Sequence, residues 1–449
     1  MFISRLALPV VLTLFAALTA LMMMFASTAT AASRYAAPEG TGTDPCANPA
    51  RPCSVFTAAD KSAPRTTIEA GDVVELAPGT YHAENEDEFG EIAGVMLPPG
   101  VTVRGEPGKA RPVIVVRDNE AGYGAFYVPF ASEVADVAIH NRSGHGAAIA
   151  VTGGAMERVI ARSASSEPAC YFDLGTIRSS ACISSGGSPA IGVNVATKGT
   201  FEGVIRNSTF IATGAGSVGM EFIYHAFKRG LTVNIDASGV LIEGEGKDVV
   251  VKAWPLNKGR GAVVNVDLRN SSYETVETEA LSGGRASVTR PGTNGNVTAP
   301  PLLADDYLHQ LPGSPTIDKG AVDGASSAFD VFEEPRTLGG APDIGADEFG
   351  SFPAQPNSAP VTTLARTQGT RMLRTPMRRV RFGFSSSDLF SRFECKLDRK
   401  PYRACISPYK ANVKLGKHEL RVRAVDPQGK ADATPAVVRW RVLPWRFFR

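Results

Sequence analysis

Gly71-Asp72-Val73-Val74-Glu75-Leu76-Ala77-Pro78-Gly79-Thr80-Tyr81 decides how this chain is read. A short apolar run with β-branched residues is framed by Gly-Asp on one side and Pro-Gly on the other. Val and Ile favour a pleated strand, while Gly, Asp and Pro-Gly favour tight turns. The same sentence recurs outward from it. Val101-Thr102-Val103-Arg104-Gly105 and Val113-Ile114-Val115-Val116 follow, then residues 147–152 and Gly203-Val204-Ile205-Arg206. Val233-Asn234-Ile235, Val240-Leu241-Ile242 and Val263-Val264-Asn265-Val266 continue the series. No long segment carries a helical period, so the chain is expected to be all β.

Many very short strands fit either a sandwich or a solenoid. One sandwich holds about 100 residues and cannot absorb the uninterrupted run of strands from about residue 70 to 300. Strand–turn–strand units also recur roughly every 20–30 residues, a period of repeat architectures. Inward side chains of one coil would then stack on those of the next, giving one continuous apolar column.

The opening stretch resembles the first coil of right-handed parallel β-helix proteins with the pectin-lyase fold, and Tyr35-Ala36-Ala37-Pro38-Glu39-Gly40-Thr41-Gly42 resembles their N-terminal strand. Ser314-Pro315-Thr316-Ile317-Asp318-Lys319-Gly320, Pro335-Arg336 and residues 339–349 resemble the closing segment of secreted bacterial members. The resemblance covers residues 34–350 and implies a β-helix with caps near 35–60 and 300–350. It implies no one activity, because that fold hosts lyases, hydrolases, epimerases and non-catalytic surface proteins.

Net charge is +2, but it is unevenly placed. From residue 360 onward there are 21 Lys and Arg against 6 Asp and Glu, net +15; the remainder has 26 against 39, net −13. Such asymmetry predicts separate domains with different partners. Residues 351–360, with three prolines and no charge, read as an extended linker. Residues 361–443 then show period-two alternation, with apolar residues facing in and arginines out, and 444–449 form a tail. Residues 393–405 and 416–420 resemble small immunoglobulin-like or fibronectin-like sandwiches at the ends of bacterial surface proteins. The outward cations Arg378, Arg379, Arg381, Arg421, Arg423, Arg439 and Arg441 are the polyanion-binding candidates. The plain alternative is a solvated face that keeps the protein soluble.

Residues 1–31 read as an export signal: Arg5, an apolar run, then Ala29-Thr30-Ala31. An uncleaved anchor is the alternative, and only then would a membrane be a partner. Six cysteines in an exported chain predict disulfides. Fifteen connectivities exist; adjacency favours Cys46 with Cys53, Cys170 with Cys182 and Cys395 with Cys405. This places the protein outside the cell or in the envelope of a bacterium, as a monomer. Wall polymer or acidic polysaccharide then fits the basic domain, whereas nucleic acid fits the charge but not the address.

Chemistry is less legible. Glu221, His225 and Lys228, with Tyr224 and Arg229, are the densest mixed ionisable group and the catalytic candidates. Glu84, Glu86, Asp87 and Glu88, with Glu91, are the place where a hard cation such as Ca²⁺ would fit, although the spacing is not that of an EF-hand. Asp136, His140, Asn141 and His145 form a weaker metal set. Each has an ordinary explanation as loop or turn polarity, and no cofactor signature is present. The resulting expectation is a secreted or envelope-associated β-helix acting as a non-catalytic, glycan-interacting scaffold, its basic C-terminal module contacting anionic wall polymer. The alternative is a polysaccharide lyase or glycoside hydrolase working along the helix groove.

Overall fold

Val73–Leu76 is a strand whose Val74 and Leu76 are fully buried while Val73 and Glu75 face outward. It pairs in parallel with Ser33–Ala36 on one side and Thr102–Gly105 on the other. From this start the chain winds a parallel β-helix. The computed structural model describes residues 31–43, 45–63, 67–83, 94–116, 124–142, 145–255, 261–281, 283–304, 306–350, 361–364, 373–386, 392–405, 407, 409–425 and 431–444. The proposed signal (save Ala31), the acidic run at 84–91 and the linker at 351–360 lie outside the described residues.

The chain divides into two compact units: Met1–Pro300 with Pro315–Asp347, and Pro301–Ser314 with Glu348–Arg449. In the first, a sheet of 14 strands wraps two faces and a sheet of 7 strands makes the third. Face one uses the first parts of Ile149–Glu157, Cys170–Arg178, Ile191–Arg206 and Val218–Ser238, then Lys247–Pro255 and Val276–Ala280. Face two runs from Ser33–Ala36 through Val73–Leu76, Thr102–Gly105 and Glu133–Ala135. It continues in the second parts of the same long strands and ends in Ala262–Arg269 and Arg285–Val288. Face three runs from Thr80–Ala83 to Leu241–Gly244.

Parallel pairing in register sets like positions above one another. Phe172, Phe222 and Tyr224 meet inside, with ring centroids 6.3 and 6.4 Å apart. The corner between faces two and three is a column of left-handed residues: Asp136, Arg158, Ser179, Asn207, Gly239 and Asn270. Each backbone N–H from Asp136 to Asn270 donates to a carbonyl of the next coil, so the turn is repeated rather than reinvented. Beside it the buried hydroxyls of Ser180, Ser208 and Ser271 each accept from or donate to backbone on neighbouring strands.

Face three is buried on both sides in strands such as Ala138–Asn141, Ala181–Ser184 and Thr209–Ala212. The reason is the segment Pro315–Asp347. Sequence similarity suggested an end cap, but its hydrogen bonds place it along the flank. The Asn207 amide donates to the Ala321 carbonyl, Ser179 Oγ to Phe329 O, and Gly345 and Ala346 N–H to Gly239 O and Thr209 Oγ1. Arg111, several coils toward the N-terminus, donates to Val331 O. The corner column exposes side chains and carbonyls along its whole length, and a strap satisfies them better than a lid on one end. Arg336, 3% exposed, fixes the strap's own turn by donating to the carbonyls of Gly345, Ala346 and Asp347.

The second unit is a small β-sandwich, antiparallel but for the parallel pair of Leu373–Thr375 with Ala436–Val442. Its main sheet is ordered Leu373–Thr375, Ala436–Val442, Gly416–Val425, Arg392–Leu397 and Arg403–Cys405; two further strand pairs complete it. Val380, Phe384, Phe393, Leu420, Val422 and Trp440 form its core. The three disulfides are Cys46–Cys53, Cys170–Cys182 and Cys395–Cys405. They fit an oxidising compartment. Among the described residues no helix is long and apolar enough to cross a membrane.

Candidate functional site

Face one is where outward chemistry gathers. Period two sends Phe222, Tyr224 and Ala226 inward and leaves Glu221 and His225 outside. In register, Glu221 lies between Gly192 and Val250, Ile223 beside Lys252, and His225 beside Trp254. Tyr171 is the register partner of Gly192, and Glu277 and Glu279 of Val250 and Lys252. Strand spacing makes this a strip roughly 20 Å long from Tyr171 to Glu277.

Tyr171 and the His225–Trp254 pair, four residues along the strands from that row, mark diagonal corners with Glu221 and Lys252 between. The His225 and Trp254 rings meet edge to face at 5.4 Å, and Lys252 Nζ lies 5.6 Å from the Trp254 ring centre. At the other corner Tyr171 stands beyond a gap floored by Gly192. A Cβ at Gly192 would sit 2.7 Å from the Glu221 carbonyl oxygen, so nothing larger fits without a shift. Burial pushes the Glu221 carboxyl above its ordinary range against the pull of Lys252, and Glu277 pushes the same way as burial. Burial also raises Asp173.

The sequence candidates therefore separate. Glu221 and His225 share the face, but four residues of strand put them about 13 Å apart, too far for direct proton exchange. Tyr224 is core: fully buried, its hydroxyl donates to Asp173 O at 2.7 Å. Lys228 lies in the same long strand; its side chain is outside the described residues. Tyr171, Asp173, Lys252 and Trp254 were missed because they come from other coils. Only the register, which a single sequence does not print, unites them.

The weaker metal set dissolves. Asp136 is held by Arg158 at 2.6 and 2.8 Å. His140 is 6% exposed and pushed down to about 3 by burial and by Arg142 and Arg162. The Asn141 amide donates to the carbonyls of His145, Gly146 and Ala147. Among the described residues no group of three His, Cys, Asp or Glu is placed to hold a metal.

A second recess, of about 180 Å³, lies at the turn between faces three and one and is lined by Glu243, Glu245, Asp248, Tyr273 and Glu274. Asp248 accepts from the N–H groups of Gly244, Glu274 and Thr275. Burial, then Asp248 and Glu274, push Glu243 up to about 7. These bonds make Asp248 a turn-former, and the recess lies apart from the aromatic strip.

In the sandwich, the candidate cations fall into two kinds. Arg423 donates through Nε and Nη2 to one carboxylate oxygen of Glu394, at 2.9 and 2.7 Å, and lies 4.2 Å from the Tyr402 ring centre. Arg421 and Arg439 share Glu419, at 2.6 and 2.7 Å. Arg378, Arg379, Arg381 and Arg441 are exposed, and among the described residues no carboxylate pairs with them.

No protein-family model matches this chain, and no curated protein matches it in sequence. The functional reading rests on the geometry.

Proposed function

We propose that this is an exported bacterial protein of the pectin-lyase-like β-helix kind that binds polysaccharide along face one, with an immunoglobulin- or fibronectin-like basic sandwich contacting anionic wall polymer. One observation carries the reading. A single outer face sets two aromatic platforms, Tyr171 and His225–Trp254, at diagonal corners of a patch with Glu221 and Lys252 between them. Sugar rings offer apolar C–H faces to aromatics and hydroxyls to charged groups, and such mixed linings are what elongated binding sites use. Three disulfides agree with an oxidising address.

A second reading, hydrolysis or β-elimination on the bound sugar, is favoured by the upward displacement of Asp173 and Glu221 by burial, the direction that suits a carboxyl acting as proton donor. A glycan array combined with a turnover assay, with and without Ca²⁺, separates the two. Binding without new reducing or unsaturated ends supports the scaffold. New ends that vanish in Glu221→Gln establish the enzyme. Absence of any glycan binding removes both.

A further inference from the structure

On the main sheet of the sandwich two glutamates answer three outward arginines, one along its own strand and two across to the next. Glu419 serves Arg421 and Arg439, and Glu394 serves Arg423. Lys396 stands opposite Arg421, which Glu419 holds; in one other row neither cation is answered among the described residues. Lys417 is the direct register partner of Arg441, and Arg441 is in turn the register partner of Arg374. Lys417 and Arg441 are both exposed, and among the described residues neither has a carboxylate partner. Like charges set directly opposite on adjacent strands destabilise a sheet. The remedy used one row away, a glutamate, is missing here. The pattern recurs on the strand pair Arg379–Phe382 with Tyr409–Asn412, where Arg381 stands opposite Lys410 and both are exposed.

We propose that the Lys417–Arg441 row is an anion-binding line for a polysaccharide carrying one carboxylate per sugar ring. This rests on reading the sandwich as a polyanion module, and narrows it to one row and one chemistry. Cations on successive strands repeat at about 4.8 Å. That matches the length of one pyranose unit in a chain, so a polyuronate laid across the two strands sets two successive carboxylates at Lys417 and Arg441. The guanidinium fork of Arg441 suits a planar carboxylate, and Lys417 adds a point charge beside it.

The test uses the full chain and polygalacturonate, titrated at low and at physiological salt. Lys417→Gln with Arg441→Gln is compared with Arg421→Gln with Arg439→Gln. Both pairs remove two charges from the same face. The first pair is expected to weaken binding by roughly ten-fold and to lower the salt slope by about one per cation. The second is expected to leave both nearly unchanged, because Glu419 already holds those arginines. Equal loss in the two pairs, or no loss in the first, overturns the row while leaving the polyanion reading intact. Failure of the wild-type chain to bind polygalacturonate at low salt overturns both. Tighter binding to phosphatidylglycerol vesicles than to polygalacturonate, with the same dependence on Lys417 and Arg441, makes the partner a membrane and overturns the ligand class.

Discussion

Faces two and one of the same β-helix treat their outward charges in opposite ways. On face two nearly every ionisable group is answered by another. Glu75 pairs with Arg104, Arg178 with Glu133 and Glu157, Arg158 with Asp136 and Glu157, and Asp236 with Arg206 and Arg269. The strap joins this network through Asp323 on Arg206 and Ser327 on Glu157. On face one burial displaces the Glu221 and Asp173 carboxyls upward, and neither forms a salt bridge among the described residues. The difference separates architecture from function. Charges that close on themselves hold coils and strap together, whereas the half-buried Glu221 carboxyl, under the pull of Lys252, is the group our proposal gives to a ligand.

The comparison breaks most directly at Arg206, whose side chain is 4% exposed and reaches Asp236, Asp323 and the carbonyls of Ile205 and Asp236. Arg206→Ala is expected to cost about 3 kcal/mol in denaturant unfolding, because carbonyls and carboxylates lose a buried partner. A loss below about 1 kcal/mol would mean that the strap does not depend on face two. Gly239→Ala comes next, at about 2 kcal/mol. Gly239 sits at φ +68°, and a Cβ there would meet Asn207 Nδ2 at 2.6 Å, so the corner column and the strap's contact at Ala321 are both disturbed. Amide exchange along Pro315–Asp347 reads that disturbance.

Glu243 sharpens the contrast through pH. Its folded value, about 7, lies above the ordinary carboxyl value, so the folded state holds the proton more tightly than the unfolded chain. Stability from this group is present at low pH and is lost as pH rises from the ordinary carboxyl range through about 7. Glu243→Gln should therefore raise Tm at about pH 8 and leave it unchanged at about pH 4. A gain of the same size at both values would refute the assignment. The smallest stability effect is expected on face one: Glu221→Gln and Trp254→Ala should each shift unfolding by less than about 1 kcal/mol, as partly exposed groups outside any ion-pair network do.

Much of the fold was legible because its cause is local. Val73-Val74-Glu75-Leu76 between Gly-Asp and Pro-Gly declares a short strand with turns at both ends, and recurrence of that unit declares a solenoid. The disulfide pairs were legible for the same reason, since their partners are near neighbours in sequence. The strap was misjudged because Pro315–Asp347 bonds to residues more than 100 positions away, such as Asn207 and Ser179. Face one was only half legible. Glu221 and His225 stand together in sequence, but Tyr171, Lys252 and Trp254 join them through inter-coil register. In the sandwich, alternation put Arg421, Arg423, Arg439 and Arg441 on outward positions, yet could not tell Arg421, which shares Glu419, from Arg441, which faces Lys417.

The most direct test of the account is a glycan array read side by side with wild-type chain, Trp254→Ala and Arg269→Ala. Arg269 is the control: an outward, half-exposed residue of the face-two network, bonded to Asp236 and Asp267. The account predicts that polysaccharide binding survives Arg269→Ala and falls by roughly ten-fold or more in Trp254→Ala, the scale of losing an aromatic stacking platform. Unchanged binding in Trp254→Ala, or equal loss in both variants, would contradict the placement of the glycan site on face one.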